Sequence, residues 1–305
     1  MAGADVLLLD RNRAHVEAIK QNGLIIHLVD QITGRTSNEK IFLKAEWDTE
    51  KANPCDLVII LTQTFSTHEA IASSPKLFGP DTFVLTLQDG LNNEDVLLDF
   101  FPPERVGCGY VTLVSNMVQP GVLSVKIKDE ICVHFRCIEG TVNYKLKEIE
   151  TLFQQTPIKA EYTNDTMRMI WTKAIMTVAT SFTSALTGLS PAHMNCMPEG
   201  QRLFSRLIRE AVAVANECNL FFDADEQVEV FLTETANNLT GFSYDGRALL
   251  NRKPTQIEAI NGAVGRIGRR YGIDTPANDA VADLVRIIEK TYEISGKEKG
   301  EKKDE

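Results

Sequence analysis

The sequence predicts an α/β fold in its first half and an all-α fold in its second half. Short apolar runs bounded by turn residues alternate with helical segments through the first 160 residues, which is the pattern of a layered α/β domain. Beyond that point the strand signals end and helical patterns follow one another. We therefore expect domains at residues 1–160 and 161–294, followed at 295–305 by a charged, disordered tail that has no apolar side chain to pack.

The first half alternates predicted strands and helices. The predicted strand Asp56–Leu61 is continuously apolar from Leu57 onward, as in a strand that is covered on both faces. Pro102 and Pro103 end the helix that precedes them, because proline cannot continue a helix. The predicted strands are Asp5–Asp10, Gly23–Val29, Asp56–Leu61, Thr82–Leu87, Val106–Val114, Gly121–Lys128 and Glu130–Phe135, and the predicted helices are Ala14–Gln21, His68–Ser73, Glu94–Phe101 and Tyr144–Gln154.

The second half begins with a long predicted helix. The run Thr163–Asp165 supplies capping residues for a helix that extends to about Thr187. The other predicted helices are Pro198–Cys218, Asp225–Asn238, Thr255–Tyr271 and Ala277–Ile294.

Composition excludes several classes of function. The 305 residues include 32 basic and 42 acidic side chains, so the formal net charge is −10. An acidic surface repels nucleic-acid phosphates, and we expect no nucleic-acid partner. No apolar run approaches the ~20 residues of a membrane helix, and no secretory signal opens the sequence, so we expect a cytoplasmic protein without membrane contact. The sequence leaves a homodimer open.

The six cysteines do not form a metal-binding pattern. No Cys-x-x-Cys pair is present, and Cys132 and Cys137 lie in one predicted strand with His134 between them. A zinc site needs a second pair of ligands, which does not follow in the sequence. We therefore expect no metal and reduced thiols.

A polar stripe on the long helix is the first candidate for chemistry. Lys173, Thr177 and Ser181 are spaced four residues apart among apolar and small side chains, so they share one helix face. A lysine in such surroundings needs water, a carboxylate or a ligand for its ammonium group. Two interpretations remain open, a catalytic lysine and a lysine that extends to solvent at a domain edge.

Four segments together resemble the ketopantoate reductase family. They are Trp171-Thr-Lys173, Ser181-Phe-Thr-Ser-Ala-Leu186, Thr255-Gln-Ile-Glu-Ala-Ile-Asn-Gly262 and Gly272-Ile-Asp-Thr-Pro276. The resemblance implies an incomplete Rossmann-like N-terminal domain, an all-α C-terminal domain and a cleft between them. It also implies hydride transfer from NADPH to the ketone of a branched 2-oxo acid.

The cofactor side departs from the family pattern. The family begins with a strand, a Gly-x-Gly-x-x-Gly loop and a helix that bind the pyrophosphate, and this sequence contains no such motif. We therefore expect the sequence as it stands to bind NADPH weakly or not at all. Asp10 would favour NAD(H), whereas Arg11 would favour NADP(H), which is the family's preference. Alternatively, both side chains are only solvated. Gln63 stands at the family's lysine, and Asp89-Gly90 stands at its Asn-Gly.

The catalytic side retains the lysine and changes its neighbours. The resemblance implies that Lys173 protonates the developing alkoxide while Thr177, Ser181 and Ser243 hold the substrate. Gln256 occupies the position of the family's glutamate. In a protein that also carries the family's N-terminal segment, Gln256→Glu is expected to raise activity with ketopantoate, whereas in a site adapted to another substrate it would lower that activity. Glu258 cannot replace that glutamate, because two helix positions rotate a side chain by about 200°.

Three hypotheses follow for the function. The first is reduction of ketopantoate to pantoate with NADPH, a step of pantothenate biosynthesis. The second is reduction of a different 2-oxo acid, because the residues on the substrate side differ from the family pattern. The third is a catalytically silent or truncated family member, because the Gly-rich loop is missing from the sequence.

Overall fold

The computed structural model describes residues 3–31, 33–127, 130–139, 144–238 and 241–301. The chain divides into two compact units. The first comprises Met1–Thr62, Ser66–Gln88 and Glu94–Thr166, and the second comprises Gln63–Phe65, Asp89–Asn93 and Met167–Glu305. The boundary thus follows residue 166 instead of 160, and two short segments from the first half belong to the second unit, which the sequence did not lead us to expect.

The first unit contains most of the elements before residue 166. Its strands are β1 (Leu7–Leu9), β2 (Leu24–Asp30), β3 (Thr36–Ile41), β4 (Lys44–Glu46), β5 (Cys55–Ile60), β6 (Phe78–Thr86), β7 (Val106–Val111), β8 (Val114–Gln119), β9 (Val122–Ile127), β10 (Cys132–Cys137) and β11 (Lys159–Tyr162). Its α-helices are α1 (Arg13–Asn22), α2 (Thr67–Ala72), α3 (Asn93–Leu98) and α4 (Tyr144–Gln154). Short 3₁₀ helices lie at Thr49–Lys51, Pro75–Leu77 and Pro103–Arg105. A further 3₁₀ helix, Thr64–Ser66, lies mostly in the segment Gln63–Phe65 of the second unit.

The main sheet of the first unit is buried on both faces. Its strand order is β11-β10-β7-β6-β5, and β5, β6 and β7 are parallel. Alternate residues of β6 point to opposite faces. Phe83 and Leu85 join a cluster with Leu146 of α4, whereas Val84 joins a cluster with Leu97 of α3. The continuous apolar runs of the sequence therefore form a strand core covered from both sides, as expected.

Two smaller sheets complete the first unit. β1 pairs with β4 in parallel, and β3, β2, β9 and β8 form a four-stranded sheet in that order. The expected strand Val106–Val114 is divided between β7 and β8, which belong to different sheets. The sequence did not predict β3, because its residues Thr-Ser-Asn-Glu-Lys-Ile are mostly polar and exposed and therefore lack an apolar alternation.

The second unit is helical in the described residues. Its helices are α5 (Thr166–Thr180), α6 (Thr183–Thr187), α7 (Pro191–Asn195), α8 (Pro198–Glu217), α9 (Ala224–Asn238), α10 (Tyr244–Leu250), α11 (Asn261–Tyr271) and α12 (Pro276–Glu301), with a 3₁₀ helix at Ile257–Ala259. Trp171 and Ile175 of α5 pack in one core cluster with Phe204 of α8 and Val264 of α11. The fold class predicted from the sequence is thus confirmed.

Three helices differ from their expected bounds. The long helix is interrupted after Thr180, where hydroxyls such as that of Thr183 donate to the carbonyl four residues earlier, a pattern that bends helices. α11 begins at Asn261 instead of Thr255. α12 continues to Glu301, because the tail is rich in Lys and Glu, which are good helix formers. The rest of the expected tail, 302–305, lies outside the described residues.

The described part of the chain contains no helix that could span a membrane and no cluster of possible metal ligands. None of its helices combines the length and apolar character that a membrane span requires. No three of its His, Cys, Asp or Glu side chains are grouped closely enough to hold a metal ion.

Candidate active site

Lys173 forms an ion pair with Asp89 inside the second unit. The ammonium group of Lys173 donates a hydrogen bond to Asp89 Oδ1. The lysine side chain is 31% exposed and the aspartate side chain 56% exposed. The lysine on the apolar helix therefore has a carboxylate partner, which is one of the surroundings that its position requires.

The loop that carries Asp89 is anchored in the helical core. Leu91 is buried in that core and its backbone N–H donates to the carbonyl of Ala259 (2.8 Å). Gly90 has a φ of +103°, and a Cβ built on it would lie 2.7 Å from the Cβ of Ala259. A side chain at position 90 would therefore meet both backbone strain and a steric clash. This packing explains Gly90 without a cofactor contact.

The rest of the polar stripe lies along α5. The hydroxyl of Thr177 donates to the carbonyl oxygen of Lys173 (2.6 Å), which leaves its oxygen able to accept a hydrogen bond. Ser181 follows the last residue of α5 and is buried. Its carbonyl oxygen accepts a hydrogen bond from the hydroxyl of Ser243 (3.3 Å). The structure thus brings Ser181 and Ser243 together.

Ser243 has a structural role in the contacts that the structure shows. It is the N-cap of α10, and its hydroxyl oxygen accepts from the backbone N–H of Gly246 (2.9 Å). Ser is a preferred N-cap residue because its oxygen satisfies an otherwise unpaired helix N–H. With its donated bond to Ser181, both functions of the hydroxyl are in use.

Gln256 is held by hydrogen bonds at both ends of its side-chain amide. Its Nε2 donates to Asp245 Oδ2 (3.4 Å), and its backbone N–H donates to Asp245 Oδ1 (2.9 Å). Its Oε1 accepts from the backbone N–H of Thr64 (3.3 Å). A glutamate could not donate to Asp245, so this arrangement requires an amide at position 256.

Asp245 is a buried carboxyl group that the sequence did not identify as a site residue. It is 6% exposed. Burial raises its pKa, the hydrogen bonds from Gln256 lower it, and the negative charges of Asp89 and Glu289 raise it again, so that the net shift is upward. The signal available in the sequence was its position beside Ser243, in the segment Phe242–Asp245 that we compared with the family's substrate-binding serines.

Glu258 faces different partners from Gln256. Its carboxylate accepts hydrogen bonds from Arg266 (3.0 Å) and from Arg286 (2.7 Å and 2.9 Å). These charges lower the pKa of Glu258, with the hydrogen bond from Arg286 as the largest cause. Glu258 therefore belongs to an ion-pair network of α11 and α12.

The predicted cofactor residues are divided between the two units. Gln63 belongs to the second unit, and its buried Oε1 has no hydrogen-bond partner among the described residues. Asp10 and Arg11 belong to the first unit, just after β1. Asp10 Oδ1 accepts from the backbone N–H of Asn12 (2.7 Å), and Arg11 is exposed.

Two family models match this chain. The model described as "Ketopantoate reductase PanE/ApbA" matches residues 1–134. The model described as "Ketopantoate reductase PanE/ApbA C terminal" matches residues 165–289. The second match includes Lys173, Asp245 and Gln256, and together the two cover most of both units.

Individual relatives give the same result. The 2-dehydropantoate 2-reductase of Streptococcus pyogenes serotype M3 is 24% identical over 294 residues, which cover 95% of this chain and 92% of that protein. The 2-dehydropantoate 2-reductase from Geobacter metallireducens GS-15 has a similar structure, with a TM-score of 0.82, 25% identity and coverage of 93% and 92%. D-mandelate dehydrogenase in a ternary complex with NADH and anilino(oxo)acetate has a TM-score of 0.82 at 22% identity, with coverage of 95% and 92%. The chain is a member of the ketopantoate reductase family of oxidoreductases.

Proposed function

We propose that this protein reduces a 2-oxo acid with a nicotinamide cofactor, and that ketopantoate with NADPH is the first reaction to test. The observation that supports the proposal is the Lys173–Asp89 ion pair. It provides a partly exposed ammonium group in the unit that matches the family's C-terminal model. A charged amine of this kind can donate a hydrogen bond to a substrate carbonyl and then transfer its proton.

The chain's own residues would bind and protonate the substrate. A nicotinamide dinucleotide, when bound, supplies the hydride. Lys173 would donate to the carbonyl oxygen and protonate the alkoxide as it develops, which stabilises the charge of the transition state. Thr177, whose oxygen can still accept, would hold a substrate hydroxyl. Ser181, which is buried, would form the end of this stripe of polar residues.

Gln63 supports cofactor binding in the second unit. Its Oε1 is buried and lacks a donor in the described part of the chain, and such an acceptor destabilises the protein unless a ligand or water supplies the hydrogen. A carboxamide N–H of the cofactor has the chemistry to do so. Asp10 and Arg11 would bind on the ribose side, and Arg11 is the basis for our choice of NADPH over NADH.

The proposed reaction can be tested directly. The purified protein is mixed with NADPH and ketopantoate, NADPH oxidation is followed by absorbance, and pantoate is identified by mass spectrometry. Because the sequence contains no Gly-x-Gly-x-x-Gly motif, we expect weak NADPH binding and slow turnover, which should nevertheless be faster with NADPH than with NADH. Calorimetric titration that detects no nicotinamide binding, together with no oxidation, would support a catalytically silent protein. A homodimer and a cytoplasmic location remain predictions, and analytical ultracentrifugation addresses the first.

A second candidate is reduction of a 2-oxo acid other than ketopantoate. Two observations favour it. At the position of the family's glutamate this chain has Gln256, whose side-chain amide is hydrogen-bonded to the carboxyl group of Asp245. The similar D-mandelate dehydrogenase is named for a different 2-hydroxy acid. A panel that includes ketopantoate and 2-oxo-2-phenylacetate, compared by kcat/KM, distinguishes the two candidates. A clear preference for the phenyl compound would exclude ketopantoate as the main substrate.

A further inference from the structure

Two carboxyl groups of the second unit lie close enough to interact, and one of them is paired with the predicted proton donor. Asp89 is largely exposed and accepts a hydrogen bond from Lys173. Asp245 is buried and accepts two hydrogen bonds from Gln256. The charge of Asp89 raises the pKa of Asp245. Lys173 is therefore paired with the exposed member of two interacting acidic groups.

Building on the proposed function, we propose that Asp89 is the positioning residue for Lys173. The carboxylate that supports the lysine is therefore at position 89 and not at position 256. Asp89 holds the ammonium group by an ion pair with a hydrogen bond. Gln256 contributes no charge and is committed to Asp245 and Thr64.

The loop geometry favours Asp89 for this role. Leu91 is buried in the helical core and bonds to Ala259, and the side-chain amide of Asn93 donates to the carbonyl oxygen of Asp89 (3.0 Å). The backbone of the loop is thus held on both sides of the carboxylate. Pairing with a flexible lysine costs conformational entropy. This cost is smaller for a carboxylate on an anchored loop than for one on a mobile loop.

The hydrogen bonds of Gln256 explain why the carboxylate is not at position 256. A carboxylate there would face the buried Asp245 carboxyl across the 3.4 Å contact that now joins Nε2 to Oδ2. Two carboxylates in contact cannot both remain ionised in a buried location without a large energetic cost. The amide at position 256 and the acid at position 245 therefore form a hydrogen-bonded pair. The charge next to Lys173 comes from Asp89.

Asp89 is expected to restrain the ammonium group of Lys173. The hydrogen-bonded ion pair must open before the amine can react with an acylating reagent, so the labelling rate of Lys173 reports how often the pair is open. Such labelling requires neither cofactor nor turnover, so a negative result here is distinguishable from failure of the proposed function.

The test is trace acetylation of the full chain, with the Lys173 peptide quantified by mass spectrometry over a range of salt concentrations. We expect Asp89→Asn to raise the labelling rate at low salt by about two- to fivefold, the range for a partly exposed ion pair. The ratio should fall toward one at high salt, because salt screens a partly exposed charge pair. Asp225→Asn is the matched control, because Asp225 forms an exposed ion pair with Arg209.

Two results would overturn the proposal. An unchanged labelling rate at Lys173 in Asp89→Asn would show that the carboxylate does not influence the amine. A raised rate with the same ratio at every salt concentration would show that the substitution only opens access to the lysine. Asp89→Glu, which restores the charge on a longer side chain, should bring the low-salt rate back toward that of the unaltered protein, and failure to do so would also count against the proposal.

Discussion

Asp89 and Asp245 are both aspartates of the second unit, yet they occupy opposite environments. Asp89 has a side chain that is 56% exposed and its partner is a cation, the ammonium group of Lys173. Asp245 is 6% exposed and its partner is a neutral amide, that of Gln256. Burial raises the pKa of Asp245, whereas Asp89 has the opposite charge of Lys173 beside it. The two locations suit different roles, and we propose that Asp89 positions Lys173 whereas Asp245 has a structural role.

The comparison also separates the roles of Lys173 and Gln256. In the resemblance that the sequence suggested, both were catalytic candidates. The contacts now give Lys173 an accessible ammonium group with a carboxylate partner, and they give Gln256 a place in a buried hydrogen-bond network with Asp245 and Thr64. We therefore propose proton donation for Lys173, and for Gln256 a role in positioning the polypeptide around the site.

The largest effect is expected from removing the amine. Lys173→Ala should lower kcat by about 10²–10⁴-fold, the range for losing a general acid, while far-UV circular dichroism and the unfolding midpoint change little because the side chain is partly exposed. Lys159→Ala is the control, because Lys159 also forms an ion pair but an exposed one in the first unit. Unchanged turnover in Lys173→Ala would mean that the lysine only extends to solvent.

A second large effect is expected from a carboxylate at position 256. The sequence alone predicted that Gln256→Glu raises activity, and the contact with Asp245 reverses that sign. The variant loses the donated bond from Nε2 and places two acids together, which we expect to reduce the free energy of unfolding by about 1–3 kcal/mol and to lower kcat. Urea titration at neutral pH measures the first and the NADPH assay the second. Higher activity with unchanged stability would contradict the assignment.

The exchange variant Asp245→Asn/Gln256→Glu sharpens the same comparison. It moves the acid from position 245 to position 256 and the amide in the opposite direction, so that one amide–carboxylate hydrogen bond is retained. We expect it to recover at least half of the stability that Gln256→Glu loses, with a double-mutant cycle as the measurement. Additive losses from the two single changes would show that the residues do not act as a pair.

Much of the fold could be predicted from the sequence where one face of an element is apolar. The helix Tyr144–Gln154 has the predicted bounds, because Leu146 and Ile149 mark its buried face. The strand Thr36–Ile41 was missed because its side chains are exposed and its pairing with Leu24–Asp30 depends on backbone hydrogen bonds. Backbone pairing leaves no periodic signal in a polar sequence.

The sequence identified candidate site residues but did not predict how they pair. Lys173 and Asp89 were both identified, each for a different role, and they are 84 positions apart in the chain. Local patterns report which face a residue occupies and not which distant loop meets it. The loop offered one clue, the apolar Leu91 within a polar segment, which is now seen to anchor the loop in the helical core.

The smallest expected effect concerns the pH dependence of stability, and it arises from Asp245. Because its pKa is raised in the folded state by burial, with further contributions from Asp89 and Glu289, the folded protein holds this proton more tightly than the unfolded chain does. The free energy of unfolding should therefore fall as pH rises from the unfolded value near ~3.9 through the higher folded value. In Asp245→Asn the group cannot ionise, so this decline is absent. Urea titrations of both proteins from acid to neutral pH should give a stability difference, unaltered minus variant, that decreases as pH rises. A difference that is constant with pH would mean that Asp245 is not the buried titrating group, and one that increases would mean that its hydrogen bonds from Gln256 outweigh burial.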